Sequence, residues 1–169
     1  MSRLVTFAFA GLIATSAAQA APTTDAGSYV AQAGASDLYE KTSSQLVLAN
    51  AQRADVRRFA QMMIDDHGKT TQQVVAAAKQ DRVTAGPPAM TAEQTQMIKD
   101  LRAATGAQRE SLYVQQQVKA HQQALDLHRS FANGGSTPML KKVAGGAVPI
   151  IQKHVEMVTN LAAAPAVTR

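Results

Sequence analysis

Six ionisable side chains interrupt otherwise apolar helical stripes in this sequence, and they are its best candidates for chemistry. They are Asp37 and Glu40 in a first segment, His67 in a second, His121 and His128 in a third, and His154 in a fourth. The set includes all four histidines of the chain, although only about two positions in seven of an amphipathic helix lie on its apolar seam. Neutral imidazoles are good ligands for zinc, copper and nickel. The spacing therefore predicts a mononuclear transition-metal site of His67, His121 and His154, with Glu40 as a further ligand.

Three more residues are predicted to surround this site without being its main ligands. They are Asp37, Asp66 and His128. Asp66 precedes His67 at the border of the same stripe, and we expect it to orient His67 or His121 by accepting a hydrogen bond from the imidazole.

Two other interpretations of the histidines stay open. A buried imidazole is also tolerated as a purely structural core residue once a carboxylate or a backbone carbonyl accepts its hydrogen bond; the protein would then act through its surface, as an envelope stress or interaction module. A bound metal with an open coordination position would instead indicate a metal-dependent enzyme. No catalytic residue is predicted, because no Ser-His-Asp order or Gly-rich phosphate loop is present. Met62, Met63 and Met157 could bind copper(I), but methionine at helical spacing is also a common core filler.

Composition narrows the classes of ligand and partner. The chain of 169 residues contains no cysteine, which excludes thiolate metal sites and disulfides. Its formal net charge is +5, but the basic residues are scattered and lack the interleaved aromatic residues of a nucleic-acid-binding surface. We expect no nucleic-acid partner, and at most weak contact with anionic envelope surfaces.

The first 20 residues are typical of a secretory signal peptide. They contain the basic start "MSR", the apolar run "LVTFAFAGLIATSA" and the small-x-small site "AQA" at residues 18–20. The apolar run of about 14 residues is too short to span a membrane, which takes roughly 20. The prediction is cleavage after Ala20, a periplasmic or secreted protein, and no transmembrane span in the mature part.

Residues 21–169 are predicted to form a single all-α domain with a core of about residues 25–162. A phase slip of the apolar stripe predicts a turn near residues 50–55, although no Gly or Pro marks it. Residues 82–106 form a longer connection with a short helix, which begins at the capping-box sequence Thr91 to Gln94. The fold class that follows is an antiparallel four-helix bundle with one longer connection that carries a short helix.

Helix ends and heights can also be predicted. Thr105 is expected to cap the third long helix, Asn133 or Gly134 to end it in the left-handed conformation, and Thr137 to cap the fourth helix. Glu40 and His67 lie at about equal distances from the first turn and should face each other. His121 and His154 differ by about five residues in distance from the second turn, which is roughly 7 Å of helical rise.

Three motifs resemble those of the exported bacterial family called domain of unknown function 4142. They are "FAQMMIDDHGKT" at residues 59–70, "YVQQQVKAHQQAL" at 113–125 and "LKKVAGGAVPIIQKHVEM" at 140–157, behind a first helix with Glu40. The resemblance covers about residues 25–162 and implies a ferritin-like four-helix fold; no activity is established for the family as a class. Ala120 departs from the family pattern, in which a carboxylate often precedes the third-helix histidine, and Val148-Pro149 stands in place of Leu-Pro.

The sequence lacks the ligand pattern of ferritin-like di-iron proteins, in which two helices each supply a Glu-x-x-His motif. Ile64 stands three residues before His67, and Ile151 three residues before His154. A ferroxidase or di-iron oxygenase is therefore not predicted.

Overall fold

The computed structural model describes residues 23–164, whose regular secondary structure is entirely helical. The helices are α1 (Ala26–Leu48), α2 (Ala54–Gln80), α3 (Ala92–Ala103), α4 (Gly106–Gly134) and α5 (Pro138–Ala163). The all-α prediction is confirmed. The predicted signal peptide and its cleavage site after Ala20 lie outside the described residues. None of the helices within residues 23–164 combines the length and hydropathy of a membrane-spanning segment.

The four long helices form the predicted bundle. α1 packs against α2 and α4, and α5 packs against the same two helices. The turn between α1 and α2 contacts the beginning of α4, whereas the end of α2 contacts the beginning of α5. Adjacent long helices are therefore antiparallel, and the connection between α2 and α4 runs the length of the bundle. α3 lies in that connection, against α1 and α4, and begins with the predicted Thr91–Gln94 capping box.

A side chain from a distant helix stabilises the turn between α1 and α2. The buried carboxylate of Glu110, in the first turns of α4, accepts hydrogen bonds from the backbone N–H groups of Gln52 and Arg53. These two donors lie at the start of α2, where the helix itself offers them no acceptor. The turn therefore needs no Gly or Pro of its own.

The beginning of α5 is capped in the same way, from another helix. The Asp81 carboxylate, just after α2, accepts hydrogen bonds from Met139 N at 3.2 Å and Leu140 N at 2.8 Å. Thr137 occupies the N-cap position as predicted, but its side chain makes no capping hydrogen bond. Thr105 also lacks such a bond at the start of α4. Both threonines thus occupy their predicted N-cap positions without a side-chain bond, but the predicted left-handed end of α4 is wrong, because neither Asn133 nor Gly134 has a positive φ.

We expect Asp81→Ala to destabilise the protein by about 1–2 kcal/mol, because two N–H groups at the start of α5 lose their acceptor. Thr137→Ala is the matched control and should change the free energy of unfolding much less, since no capping bond is lost. Urea unfolding of both variants measures the difference. Equal destabilisation by the two substitutions would contradict this account of the cap.

A polar layer divides the core of the bundle. Near the α1–α2 turn lies an apolar cluster that includes Tyr39, Phe59, Met63, Leu101 and Tyr113. At the opposite end lies a second cluster, which includes Tyr29, Val74, Phe131, Leu140 and Ala144. Between them the long helices bury Asp37, Glu40, His67, His121 and His154. The predicted core positions of these five residues are thus confirmed.

Candidate metal centre

Three histidines from three different helices converge in the polar layer. His67 lies on α2, His121 on α4 and His154 on α5, with 4%, 0% and 2% of their surfaces exposed. Their ring centroids form a nearly equilateral triangle: 5.6 Å from His67 to His121, 5.8 Å from His67 to His154 and 5.4 Å from His121 to His154. One nitrogen of each ring lies within 4.8 Å of a nitrogen of each of the other two.

The predicted height mismatch between His121 and His154 does not separate them. α4 ends at Gly134 and α5 begins at Pro138, so the turn is centred near residue 136 and the two histidines differ by about three residues, not five. Helical side chains also lean toward the N-terminus of their own helix, by about one residue position. This lean carries His121 away from the turn and His154 toward it, and the remaining mismatch nearly disappears.

The same geometry decides which carboxylate faces His67. α1 ends at Leu48 and α2 begins at Ala54, so the turn is centred near residue 51, two or three residues earlier than the phase slip suggested. With the N-terminal lean of side chains included, Asp37 is level with His67, and Glu40 is about one helical turn nearer the turn. His67 Nδ1 accordingly lies 2.8 Å from Asp37 Oδ1. The predicted pairing of Glu40 with His67 is therefore corrected by one turn of α1.

Each of the three imidazoles is held through one nitrogen by an oxygen that can only accept. His67 Nδ1 donates to Asp37 Oδ1, His121 Nδ1 lies 3.0 Å from the backbone oxygen of Gln117, and His154 Nε2 lies 3.3 Å from Asp66 Oδ2. A neutral imidazole has one N–H, so the other nitrogen carries a lone pair. Oxygen acceptors behind an imidazole are the usual way in which proteins orient histidine ligands of metals.

The lone-pair nitrogens that result are His67 Nε2, His121 Nε2 and His154 Nδ1. Among the described residues, His67 Nε2 and His154 Nδ1 are buried without any hydrogen-bond partner. His121 Nε2 lies 3.1 Å from the thioether sulfur of Met63. Buried polar atoms without a partner are costly, and because one nitrogen of each ring lies within 4.8 Å of the other two, the three imidazoles form a candidate cation site.

Of the three residues predicted to surround the site, Asp37 and Asp66 contact the converging histidines. Asp37 Oδ2 also accepts from the Thr71 hydroxyl at 2.9 Å, which anchors the carboxylate that holds His67. Asp66 contacts His154, not His67 or His121 as predicted, and it also binds Lys69 Nζ at 3.0 Å. Burial opposes ionisation of Asp66, but the hydrogen bonds from Lys69 and His154 hold the pKa of its carboxyl below the ordinary value.

Burial and neighbouring charges keep two of the three imidazoles neutral. Burial is the main cause that lowers the pKa of His154 to about 4 and that of His121 well below 6.5, and the charge of His67 lowers both further. Burial also disfavours protonation of His67, but the hydrogen bond that its Nδ1 donates to Asp37 and the charges of Glu40 and Asp37 outweigh burial and raise the pKa of His67. The site thus offers the uncharged imidazoles of His121 and His154 beside carboxylates, and a metal ion that binds His67 would displace the proton that Asp37 helps this ring to hold.

Glu40 is fully buried next to this triangle. Its Oε1 lies 3.6 Å from His121 Nδ1, which is the nitrogen that faces the Gln117 carbonyl and not the one that faces Met63. Neither carboxylate oxygen has a hydrogen-bond partner among residues 23–164. Burial raises the pKa of Glu40 to about 7, against the attraction of His67, which lowers it. A cation in the triangle would stabilise the ionised form of this carboxylate.

His128 lies apart from the three converging histidines. Its Nδ1 is hydrogen-bonded to the Tyr29 hydroxyl at 3.1 Å, and the two rings meet edge to face. Tyr29 also stacks on Phe131, so His128 belongs to the apolar cluster at the far end of the bundle. His128 is therefore a core residue with a satisfied ring nitrogen, which is the structural interpretation that the sequence left open for all four histidines.

A cavity of about 530 Å³ lies beside the centre, between α1, α2 and the segment that follows α2. Its wall includes Asp37 and Thr71 but, within the described part of the chain, none of the three histidines. Asp37 thus stands between the cavity and His67. The cavity reaches the outer hydrogen bonds of the centre and not the lone-pair nitrogens.

Comparison with known proteins gives a family and a fold. A family model described as "Domain of unknown function (DUF4142)" matches residues 12–161. The chain is similar in fold to the crystal structure of a DUF305 fragment from Deinococcus radiodurans, with a TM-score of 0.70 and 15% sequence identity over 83% of this chain and 97% of that one. No curated protein matches the sequence.

Proposed function

The chain belongs to the DUF4142 family, and from that premise and the geometry of the centre we propose that it is a metal-binding helical bundle with His67, His121 and His154 as ligands. The observation that carries the proposal is the convergence of three buried imidazoles, one nitrogen of each within 4.8 Å of the other two, with an oxygen acceptor beside one nitrogen of every ring. Histidines that served packing alone would have no need to converge while His67 Nε2 and His154 Nδ1 stay buried without a hydrogen-bond partner in the described part of the chain.

The separations suit a single transition-metal ion. Metal–nitrogen bonds of about 2.0–2.1 Å at tetrahedral angles place the nitrogens about 3.3 Å apart. The nitrogens already lie within 4.8 Å of one another, so each ring would move by on the order of 1 Å or less. Imidazole ligands suit zinc, copper and nickel better than calcium or magnesium, which prefer oxygen.

Glu40 contributes charge to this proposed site. A metal ion brings positive charge into a layer that the bundle keeps out of water, and a buried ion needs a partner of opposite sign. The carboxylate of Glu40 lies beside His121 Nδ1, so the His121 ring separates it from the proposed ion. Asp37 and Asp66 accept hydrogen bonds from the other two ligand histidines. Ionised Glu40, Asp37 and Asp66 can together neutralise the site.

The burial of the site favours binding over catalysis. A catalytic metal needs an open position that a substrate can reach. The three histidines are at most 4% exposed, and the cavity beside them ends at Asp37. We propose that the protein holds or carries its metal in the cell envelope, where the pattern of residues 1–20 would direct it.

Thermal melting of the metal-stripped protein tests this proposal. With zinc, copper, nickel or manganese ions added, at least one metal should raise the melting temperature, because an ion that binds only the folded state stabilises it by about 2.7 kcal/mol at one hundred times its dissociation constant. If none of the four metals changes the melting temperature and none copurifies with untagged protein, the proposal is wrong.

A further inference from the structure

We infer that the Met63 thioether is a fourth ligand of this centre and that it makes the site selective for copper(I). The inference rests on the proposed function, and it adds the identity of the metal and a residue outside the histidine set. It starts from one short contact: His121 Nε2 lies 3.1 Å from Met63 Sδ.

That contact is not an ordinary hydrogen bond. The backbone oxygen of Gln117 only accepts, and it takes the single N–H of a neutral His121 at Nδ1. Nε2 is then a lone-pair atom, and a thioether sulfur has no hydrogen to give it. Two electron-pair donors therefore face each other inside the core. A shared cation removes this conflict.

The distance agrees with two ligands of one ion. Bonds of about 2.0 Å to an imidazole nitrogen and about 2.3 Å to sulfur, at a tetrahedral angle, hold the two atoms about 3.5 Å apart. The observed 3.1 Å is within a few tenths of an ångström of that separation. Little movement of α2 or α4 is needed to bind an ion between them.

The position of Met63 in α2 directs its sulfur to the same point as the histidines. Met63 precedes His67 by four residues, so the two side chains lie one above the other on one helix face. Both contact His121, His67 through its ring and Met63 through its sulfur. Met63 is fully buried, so water does not compete for the sulfur.

The donor set indicates which metal it would hold. Soft thioether ligands select copper(I), whereas zinc and manganese prefer imidazole, thiolate or carboxylate ligands. Three neutral imidazoles and one neutral thioether also suit an ion of single charge, which costs less to bury than a divalent ion. The chain has no cysteine, so methionine is the sulfur ligand that remains.

Affinity measurements on Met63→Leu test the inference, with Met62→Leu as the matched control. Leucine keeps the volume and apolar character of methionine, and Met62 is the neighbouring, partly buried methionine of the same helix. Competition titrations use copper(I) under anaerobic reducing conditions, silver(I) as a redox-inert mimic, and zinc(II). We expect Met63→Leu to weaken copper(I) and silver(I) binding by about 10–100-fold with zinc(II) binding unchanged, and Met62→Leu to match the wild type.

X-ray absorption of the copper(I)-loaded wild type supplies a readout that does not depend on a folded variant. It should show one sulfur at about 2.3 Å from copper besides the nitrogen ligands. A copper environment of nitrogen and oxygen alone, or unchanged copper(I) affinity in Met63→Leu, would overturn the inference and leave the histidine site standing. If the wild type binds no metal at all, the proposed function itself is wrong, and the inference about Met63 is wrong with it.

Discussion

His121→Ala is expected to abolish the rise in melting temperature that metal ions produce in the wild type. His121 is fully buried and lies within 5.6 Å, ring to ring, of both other histidines. Its removal takes away the ligand that contacts both other rings and the Met63 sulfur, and the two imidazoles and one thioether that remain surround a cavity in its place. The full metal stabilisation, about 2.7 kcal/mol at one hundred times the wild-type dissociation constant, should disappear. His67→Ala and His154→Ala should behave alike.

His128→Asn is the matched control for these three variants. It replaces a buried histidine of α4 that lies outside the converging set, so it should keep the wild-type response to metal. Each variant is compared with and without metal, because removal of any buried ring also lowers the stability of the metal-free protein. A normal metal response in His121→Ala would show that the three histidines are packed core residues and not ligands.

The second large effect is a loss of stability in acid that depends on His128. Burial lowers the pKa of this imidazole from its ordinary 6.5 to about 4; the charge of His67 lowers it further and Asp37 opposes the shift. The unfolded chain therefore binds a proton between pH 6.5 and pH 4 that the folded protein excludes. The stabilisation is complete above pH 6.5 and is lost as the pH falls to about 4, and in total it is worth about 3 kcal/mol.

His128→Asn should remove this contribution. Asparagine can still form a hydrogen bond with the Tyr29 hydroxyl, as donor or acceptor, but it does not titrate. Loss of the ring lowers stability at every pH, so the measured quantity is the slope: between pH 6.5 and pH 4 the wild type should lose about 3 kcal/mol more than the variant. Urea unfolding of metal-stripped protein across this range gives both curves. His121 and His154 titrate in both proteins, so their effect cancels, and parallel curves would contradict the prediction.

Local patterns in the sequence were sufficient to predict the helices and their buried faces. The alternation of three- and four-residue steps placed Glu40, His67, His121 and His154 on core faces, and all four are buried. The Thr91–Gln94 capping box marks the start of α3 because both partners of that motif lie within one helical turn. Periodicity and adjacent caps are local properties, and a single sequence contains them completely.

Only the tertiary structure decided which residues pair across helices. Asp37, and not Glu40, meets His67 because the α1–α2 turn is centred near residue 51, two or three residues earlier than the phase slip suggested, which outweighs the lean of the side chains toward the N-termini of their helices. The α1–α2 turn is held by Glu110, and α5 is capped by Asp81, each about 58 residues from the backbone groups it binds. His121 faces the Met63 sulfur only because α2 and α4 bring one face of each helix to the same height. Such contacts depend on the relative height and rotation of whole helices, and the packing of the entire core sets both. An apolar stripe in the sequence shows which face of a helix is buried, but it does not contain that information.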